Sequence, residues 1–252
     1  MDSVLAIYKK RGETPLQALS RLREEKSELA NETLSYAGRL DPLAEGLMLV
    51  LIGEENKNRE KYLGLDKTYT VEILCGASTD THDLLGLVTE VGAKEITLKK
   101  FTESVSYFVG KFTQKYPAFS SKTVGGVQLH ELSRKGEIVE IPEHEVSLCG
   151  AEIISHKKIT GKDVLENALF LADLVLGDFR QKEIKERWEM SLNSGEIDFK
   201  LFEVELKVSS GFYVRQFAHD LGKKLGVPAL AYSIKRTKVG EWEIQGLTST
   251  LN

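Results

Sequence analysis

The segment 202–208 alternates apolar and charged side chains with a strict period of two, reading FEVELKV. Successive side chains of a strand point to opposite faces, so this pattern predicts a sheet strand with one apolar face. The segment 69–75, YTVEILC, has a similar strand-like composition. The continuous apolar run at 47–52, ended by Gly53, fits either a strand buried on both faces or a short buried helix.

Helical signals lie between these segments at uneven spacing. The run TPLQ at 14–17 has the form of a capping box with proline at the first helical position, and predicts a helix over about 15–29. Its apolar stripe consists of Leu16, Leu19 and Leu22. A second helical pattern covers 163–188, with a break at Gly177, and a third covers 215–225. Strands interspersed with unevenly spaced helices predict an α+β fold.

Length and composition are those of an ordinary folded protein. The 252 residues can bury a sizeable core, and 41% hydrophobic with 29% charged residues excludes a disordered or fibrous chain. The longest apolar run is far below the roughly 20 residues of a membrane span, and the first ten residues lack a signal-peptide core. We therefore expect a cytoplasmic location without membrane contact. Cys75 and Cys149 have no CxxC partner, so neither a disulfide framework nor a zinc site is predicted.

Charge is unevenly distributed along the chain, although the net charge is only -4. The stretch 207–238 holds seven Lys or Arg residues against the single acid Asp220, and 111–135 holds five against Glu131. Two basic stretches suit an RNA phosphate backbone. The alternative is that both are solvated faces, and composition alone favours that alternative.

One acid occupies a position typical of a catalytic loop. Asp41 lies in the run GRLDPLAEG at 38–46, between a glycine-containing turn and a proline, immediately before the apolar run. A rigid loop on a packed element is the usual support of a nucleophilic carboxylate. An Asp-Pro pair is also commonly a turn or a cap, and this segment alone does not decide between the two.

Ordered motifs that run from GRLDPLAEG at 38–46 to IKRT at 234–237 resemble the TruB family, the tRNA pseudouridine(55) synthases. The run at 38–46 resembles the family signature G-x-L-D-P-x-A-x-G, KTY at 67–69 resembles K-x-Y, and GASTDTHDLLG at 76–86 resembles G-x-x-T-D-T-x-D-x-x-G. The segment 108–122 resembles F-x-G-x-x-x-Q followed by P-x-Y-S-A-x-K. SSGFYVR at 209–215 resembles S-x-G-T-Y-I-R, and IKRT at 234–237 corresponds to the L-R-R segment. The resemblance covers nearly the whole chain.

The resemblance implies a pseudouridine synthase fold, with a central mixed, mostly antiparallel sheet flanked by helices. It implies that Asp41 is the nucleophile that attacks a flipped uridine, that Tyr69 stacks on the base and takes a sugar proton, and that Arg215 pairs with Asp41. The substrate-binding residues that it implies are Lys9, Tyr36, Lys67, Lys122, Tyr213, Ile234 and Arg236. Tyr36 stands where bacterial members carry His, and Lys10 stands where they carry Pro.

The expected molecule is a monomer with one catalytic domain over residues 1–252 and a helical insert at about 153–195. Ten residues follow Trp242, so we expect no C-terminal PUA-type RNA-binding domain. The expected substrate is a uridine in the T-arm of tRNA, at position 55, and no metal or organic cofactor is expected. Two alternatives stay open: an RNA-binding or tRNA-folding module with weak or no catalysis, and the same chemistry on another RNA.

Several other polar residues receive no catalytic role. Asp80 and Asp83, in the segment STDTHD, are predicted to fix a loop by accepting backbone N–H bonds and not to form a metal or paired-carboxylate site. His82, His130 and His219 are expected to be isolated from one another.

Overall fold

The alternating segment 202–208 lies inside a nine-stranded central sheet of the computed structural model, which describes residues 3–92, 94–137, 140–192 and 197–244. The strands there are β1 Val4–Lys9, β2 Leu34–Ala37, β3 Glu45–Ile52, β4 Lys67–Cys75, β5 Ala77–Thr79, β6 Val88–Val91, β7 Gly110–Lys115, β8 Thr123–Val124, β9 Val127–Gln128, β10 Glu143–Thr160, β11 Asp198–Val208, β12 Ala229–Val239 and β13 Trp242–Glu243. The helices are α1 Pro15–Glu25, α2 Arg59–Leu63, α3 Leu98–Ser106, α4 Leu129–Arg134, α5 Gly161–Leu174, α6 Gln181–Leu192 and α7 Val214–Leu225. Short 3-10 helices cover Ser27–Leu29 and Gly53–Asn58.

The sheet is mixed and mostly antiparallel, as expected. Its order is β1-β3-β12-β4-β11-β10-β7, with β2 paired to β3 and β13 paired to β12. Among the pairings between the strands of this sheet in the described residues, only the short contact between β3 and β12 is parallel. β5–β6 and β8–β9 form separate two-stranded sheets. The ambiguous apolar run at 47–52 is strand β3, buried along nearly its whole length.

The first helix confirms the predicted cap but not the whole predicted stripe. Gln17 N–H donates to Thr14 Oγ1, and Thr14 N–H donates to the Gln17 side chain at 2.7 Å, which completes the capping box. The α-helix ends at Glu25, before the 3-10 turn Ser27–Leu29. Leu16 is 66% exposed, because the buried face of α1 is formed by Pro15, Ala18, Leu19 and Leu22.

Two helices follow β10, and the break between them contains Gly177, as predicted. Residues 153–160 of the predicted helical insert are strand, because they continue the pairing of β10 with β11. Helices α5 and α6 occupy the remainder, separated by the turn 175–180, and residues 193–195 lie outside the described residues. The N-cap of α5 is Thr160, whose side chain accepts from Asp163 N–H, so this helix begins about one turn before residue 163, where the sequence pattern started.

The main core lies between one face of the sheet and helices α3, α5, α6 and α7. Trp188 of α6, Phe217 of α7 and Phe202 of β11 are each at most 1% exposed there. A second cluster joins α1 to β3. No helix in the described part of the chain is long and apolar enough to cross a membrane.

Candidate active site

A cavity of about 700 Å³ opens where the β2–β3 loop, strand β4 and the start of α7 meet. This volume falls within the roughly 300–1,000 Å³ that is usual for ligand pockets. Asp41, Tyr69 and Arg215 all line it, so the three residues predicted to be catalytic come together from distant parts of the chain. Tyr213, Ile234, Lys67 and Arg236 line it as well.

Asp41 and Arg215 form a close ion pair in the cavity wall. Arg215 Nε donates to Asp41 Oδ2 at 2.7 Å, and the Asp41 side chain remains 33% exposed whereas that of Arg215 is 5% exposed. The carboxylate is thus reachable from the cavity, but the guanidinium is held behind it. Such a charge-assisted contact fixes the direction in which the carboxylate points.

Arg215 has acceptors on three further sides. Its Nη1 donates to Thr81 O at 2.6 Å and its Nη2 to Phe119 O at 3.3 Å, and Asp83 Oδ2 lies 3.4 Å from Nε. Burial alone would lower the pKa of Arg215, but the two carboxylates Asp41 and Asp83 together raise it. The guanidinium therefore stays charged and cannot rotate without losing several bonds.

Asp83 is a member of this site that sequence reasoning assigned only to loop fixing. Its Oδ1 accepts from Thr81 Oγ1 at 2.8 Å and from Leu85 N–H at 2.9 Å, which confirms that role. Its Oδ2 lies 3.4 Å from Arg215 Nε, the same atom that donates to Asp41. Burial raises the pKa of Asp83 to about 6, against the opposing effect of Arg215. Asp83 and Thr81 belong to the same sequence motif at 76–86, and this was the signal that could have placed Asp83 at the site.

The loop that carries Asp41 is fixed by buried donors from three directions. Lys9 Nζ donates to Ala44 O at 2.6 Å, Gly12 N–H to Pro42 O at 2.8 Å, and Arg236 Nη2 to Gly38 O at 2.9 Å. A turn bond from Ala44 N–H to Asp41 O closes the loop itself. These four backbone carbonyls each have a partner, so the carboxylate is presented by a rigid segment.

Lys9 corrects one substrate-binding prediction. It is 0% exposed and lies outside the cavity wall, where its ammonium is bonded to Lys10 O and Ala44 O. Burial lowers its pKa to about 8, against the attraction of Glu13, Asp41 and Glu45. A fully buried ammonium bound to two main-chain carbonyls supports the loop and is not accessible to RNA.

Tyr36 and Lys122 also lie outside the cavity wall. The Tyr36 ring packs against the α1–β3 cluster, with the Arg59 guanidinium 5.9 Å from its centroid. Lys122 is exposed, and its ammonium lies 5.0 Å from the ring centroid of Tyr116. The structure does not bring either residue to Asp41, so any contact with substrate would lie beyond the cavity.

The remaining predicted residues form the walls around Asp41. Tyr69 of β4 and Ile234 of β12 are 8% and 4% exposed. Lys67 donates to Leu63 O and Leu65 O, and burial together with Arg236 lowers its pKa to about 8. Arg236 is 1% exposed and donates to Leu47 O at 2.7 Å, so its contribution to the wall is small.

Gln114 is a second residue without an assigned role that the geometry places at the site. Its side chain accepts from Tyr213 N–H at 2.8 Å and donates to Tyr213 O at 3.1 Å. Tyr213 is the N-cap of α7, so this bidentate contact fixes the start of the helix that carries Arg215. The motif at 108–114 contained this glutamine, but the pattern gave no indication of its partner.

The histidines are not all isolated, contrary to expectation. The rings of His82 and His219 stack with centroids 3.9 Å apart and planes 15° apart, because the loop after β5 crosses α7. Burial lowers the pKa of His82 to about 3 and that of His219 to about 4. His130 lies apart from them in the cavity wall, bonded to Ser120 O.

The two basic stretches differ in exposure. Arg215 and Arg236 of the stretch 207–238 are buried, whereas Lys207, Lys223, Lys224 and Lys235 are exposed. All five bases of 111–135 are exposed. Contact of these bases with RNA stays a prediction. In the part of the chain that the structure describes, no group of three or more His, Cys, Asp or Glu side chains is arranged to hold a metal ion.

Comparison with known proteins gives consistent results over most of the chain. The family model for the N-terminal domain of TruB family pseudouridylate synthase matches residues 26–167. The tRNA pseudouridine synthase B of Aquifex aeolicus is 29% identical over 99% of this chain and 72% of its own length. That of Ligilactobacillus salivarius is 31% identical over 100% of this chain and 72% of its own length.

Solved structures show the same fold at low sequence identity. A chain of a Cbf5-Nop10-Gar1 complex is similar with a TM-score of 0.57 and 16% identity, over 95% of this chain and 49% of that one. A chain of an H/ACA RNP bound to a substrate RNA containing 2'-deoxyuridine has a TM-score of 0.56 and 14% identity, over 95% and 48%. This chain thus spans about half the length of those solved chains.

Proposed function

Since the chain belongs to the TruB family of pseudouridylate synthases, we propose that it isomerises the uridine at position 55, in the T-arm of tRNA, with Asp41 as the nucleophile. The observation that carries this proposal is the 2.7 Å pair between Arg215 and the partly exposed Asp41 in a cavity walled by Tyr69, Tyr213 and Ile234. The relatives named above are called tRNA pseudouridine synthases, which supports the choice of RNA.

The reaction requires the enzyme to retain the uracil after it is detached from the sugar, and it consumes no second reagent. The N1–C1′ bond of uridine breaks, the uracil turns, and a C5–C1′ bond forms. The base loses the proton at C5 and gains one at N1, so that atoms and electrons balance without a redox partner. The enzyme must therefore detach the uracil and hold it within bonding distance of the sugar.

Asp41 would carry the sugar chemistry. Its carboxylate is exposed to the cavity, and it either attacks C1′ or assists the formation of a glycal-like intermediate. Arg215 would hold it aimed at the sugar. Because the uridine is stacked in its loop, it must first be extruded, and the cavity would receive it with Tyr69 replacing part of the lost stacking.

Tyr213 and Ile234 would confine the uracil while it turns. Both line the cavity beside Asp41, and Ile234 is held in β12 opposite Val71 of β4. An apolar wall of this kind gives the detached ring room to rotate but excludes bulk water. Burial raises the pKa of the Tyr213 hydroxyl, and the neighbouring Asp41 raises it further, so Tyr213 stays protonated at neutral pH.

The test is incubation of the purified protein with an unmodified tRNA transcript, followed by site-resolved detection of pseudouridine. Product at the T-arm uridine, and none in a matched transcript with cytidine at that position, is the expected result. An isolated T-arm hairpin should be modified and unrelated hairpins should not. Binding of tRNA without product, or product only in another RNA, would contradict the proposal.

A further inference from the structure

Helices α5 and α6, inserted between β10 and β11, contribute directly to the cavity. The turn between them places Phe179 and Arg180 in its wall. Arg180 has a φ of 60°, which is a costly conformation for a residue other than glycine. Gln181 stabilises the turn by accepting from Phe179 N–H at 3.0 Å and donating to Val175 O at 3.1 Å. The strained position therefore directs one arginine towards the site.

Arg180 binds Asp80 with both ends of its guanidinium. Its Nη1 lies 2.7 Å from Asp80 Oδ2 and its Nη2 lies 3.3 Å from Oδ1. The guanidinium also lies 4.5 Å from the ring centroid of Phe119. The side chains of Arg180 and Asp80 are 20% and 25% exposed, so solvent screens the pair only in part. A planar bidentate contact of this kind fixes orientation as well as distance.

Asp80 in turn closes the loop that follows β5. Its Oδ1 accepts from Leu87 N–H at 2.8 Å, and its own N–H donates to Leu87 O. The two ends of the loop 80–87 are thus bonded to each other through Asp80, and Arg180 holds Asp80.

Trp188 of α6 contacts the same loop at a second point. The indole is fully buried, and its Nε1 donates to Leu84 O at 3.1 Å. A buried indole N–H needs an acceptor, and an orphaned buried carbonyl is equally costly, so this bond ties α6 to the loop. Arg180 and Trp188 hold the loop from the side of α6, whereas Arg215 contacts it from the side of α7.

Thr81 and Asp83 lie between Asp80 and Leu84, and both are acceptors of Arg215. Thr81 O and Asp83 Oδ2 face the guanidinium that is bonded to Asp41. A shift of the loop would therefore move Arg215 and, through it, the carboxylate of Asp41. A misplacement of about 1 Å at a reacting group can cost a factor of roughly 100 in rate.

We propose that Arg180 and Trp188 are positioning residues, through which the α5–α6 pair holds the loop 80–87 so that Arg215 aims Asp41 at the substrate. The proposal rests on the proposed function. Under this proposal the two helices affect the rate of the chemical step and not the affinity for RNA. The side-chain hydrogen bonds of both residues go to the loop, to Asp80 and to Leu84, so both act through the loop.

The test uses Arg180→Gln and Trp188→Phe, with Lys182→Ala as the matched control. Trp188→Phe keeps an aromatic ring and removes the donor, and Lys182 is 88% exposed at the start of the same helix. We expect the single-turnover rate at saturating tRNA to fall about 10-fold in each variant, with the tRNA Kd unchanged within about twofold. Lys182→Ala should match the wild type in both. An unchanged rate in both folded variants, or a weaker Kd with an unchanged rate, would overturn the proposal.

Amide hydrogen exchange at Asp83, Leu85 and Leu87 gives a readout that does not depend on activity. These N–H groups are bonded within the loop, to Thr79 Oγ1, Asp83 Oδ1 and Asp80 Oδ1. We expect their exchange to be about 10-fold faster in Arg180→Gln and Trp188→Phe and unchanged in Lys182→Ala. If the wild type makes no pseudouridine in tRNA, the proposed function fails but the exchange still tests the positioning role. Unchanged exchange in both variants overturns that role.

Discussion

Arg215 Nε donates to Asp41 Oδ2 at 2.7 Å although 174 positions separate the two residues in sequence. The contact joins the β2–β3 loop to the start of α7, and each partner is held by its own set of backbone bonds. Asp41 lies on a loop bonded to Lys9, Gly12 and Arg236, and Arg215 follows the N-cap that Gln114 fixes. Both groups are therefore preorganised before any substrate binds.

Arg215→Lys should lower the rate of pseudouridine formation by roughly 100-fold or more, because an ammonium cannot keep the four contacts of the fork. The measurement is single-turnover kinetics on tRNA. The tRNA Kd should change little, since Arg215 is buried. A fully active Arg215→Lys protein would show that the pair has no part in the reaction.

Asp83→Asn should lower the rate about 10-fold, because it removes one of the two negative charges that face Arg215. The pKa of Asp83 is raised to about 6, so the wild-type carboxylate becomes neutral as pH falls through about 6. The wild-type kcat/KM should therefore decline over that range, and the profile of Asp83→Asn should lack this decline. Identical pH profiles for the two proteins would contradict the assignment.

Gly46→Ala should destabilise the fold by about 3 kcal/mol or more. Gly46 has a φ of 108°, and a Cβ built there lies 2.3 Å from Arg236 O on the neighbouring strand β12. Urea unfolding of Gly46→Ala and of Gly92→Ala provides the comparison. A Cβ at Gly92 meets nothing within 4 Å, so that variant should stay close to the wild type. Equal stability of the two variants would refute the close approach of Gly46 to the backbone of Arg236.

His82→Asn should weaken the loss of stability at acid pH. The pKa of His82 is lowered to about 3 by burial, below its ordinary 6.5, so the unfolded chain binds the proton first as pH falls. The contribution of neutral His82 to the free energy of unfolding is fully present above about pH 6.5 and is lost progressively below it. The loss amounts to about 2 kcal/mol at pH 5 relative to pH 7.5. Asparagine tolerates the φ of 64° at this position. The change in unfolding free energy between the two pH values should be smaller in His82→Asn by that amount, and an equal change would refute the prediction.

Local patterns predicted the elements that depend on neighbouring residues. The alternation at 202–208 identified β11, the capping box at 14–17 identified the start of α1, and Gly226 ended α7 with a φ of 75°. The apolar run at 47–52 stayed ambiguous, because only pairing with β1 and β2 makes it a strand. Leu16 was wrongly placed in the core, since spacing alone does not show which edge of a stripe faces solvent.

The residues of the candidate site were predictable where a motif contained them, and the family resemblance also implied the pair of Arg215 with Asp41. The contacts made by residues outside the motifs were not predictable. Asp41, Tyr69 and Arg215 do meet in one cavity. Arg180 and Asp80 are 100 positions apart, and Trp188 and Leu84 are 104 apart, so no local pattern could join them. Lys9 is an example of the opposite kind, because the family resemblance implied a contact with substrate but its burial beside Ala44 O makes it a support of the loop.

The central claim is that Asp41 carries the chemistry, and Asp41→Asn tests it most directly. The side chain keeps its size, so the fold and the tRNA Kd should be retained, as checked by melting temperature and by direct binding. The single-turnover rate at the T-arm uridine should fall by about 10³-fold or more, since a neutral amide is not a nucleophile here. An Asp41→Asn protein that forms pseudouridine at the wild-type rate would contradict the account.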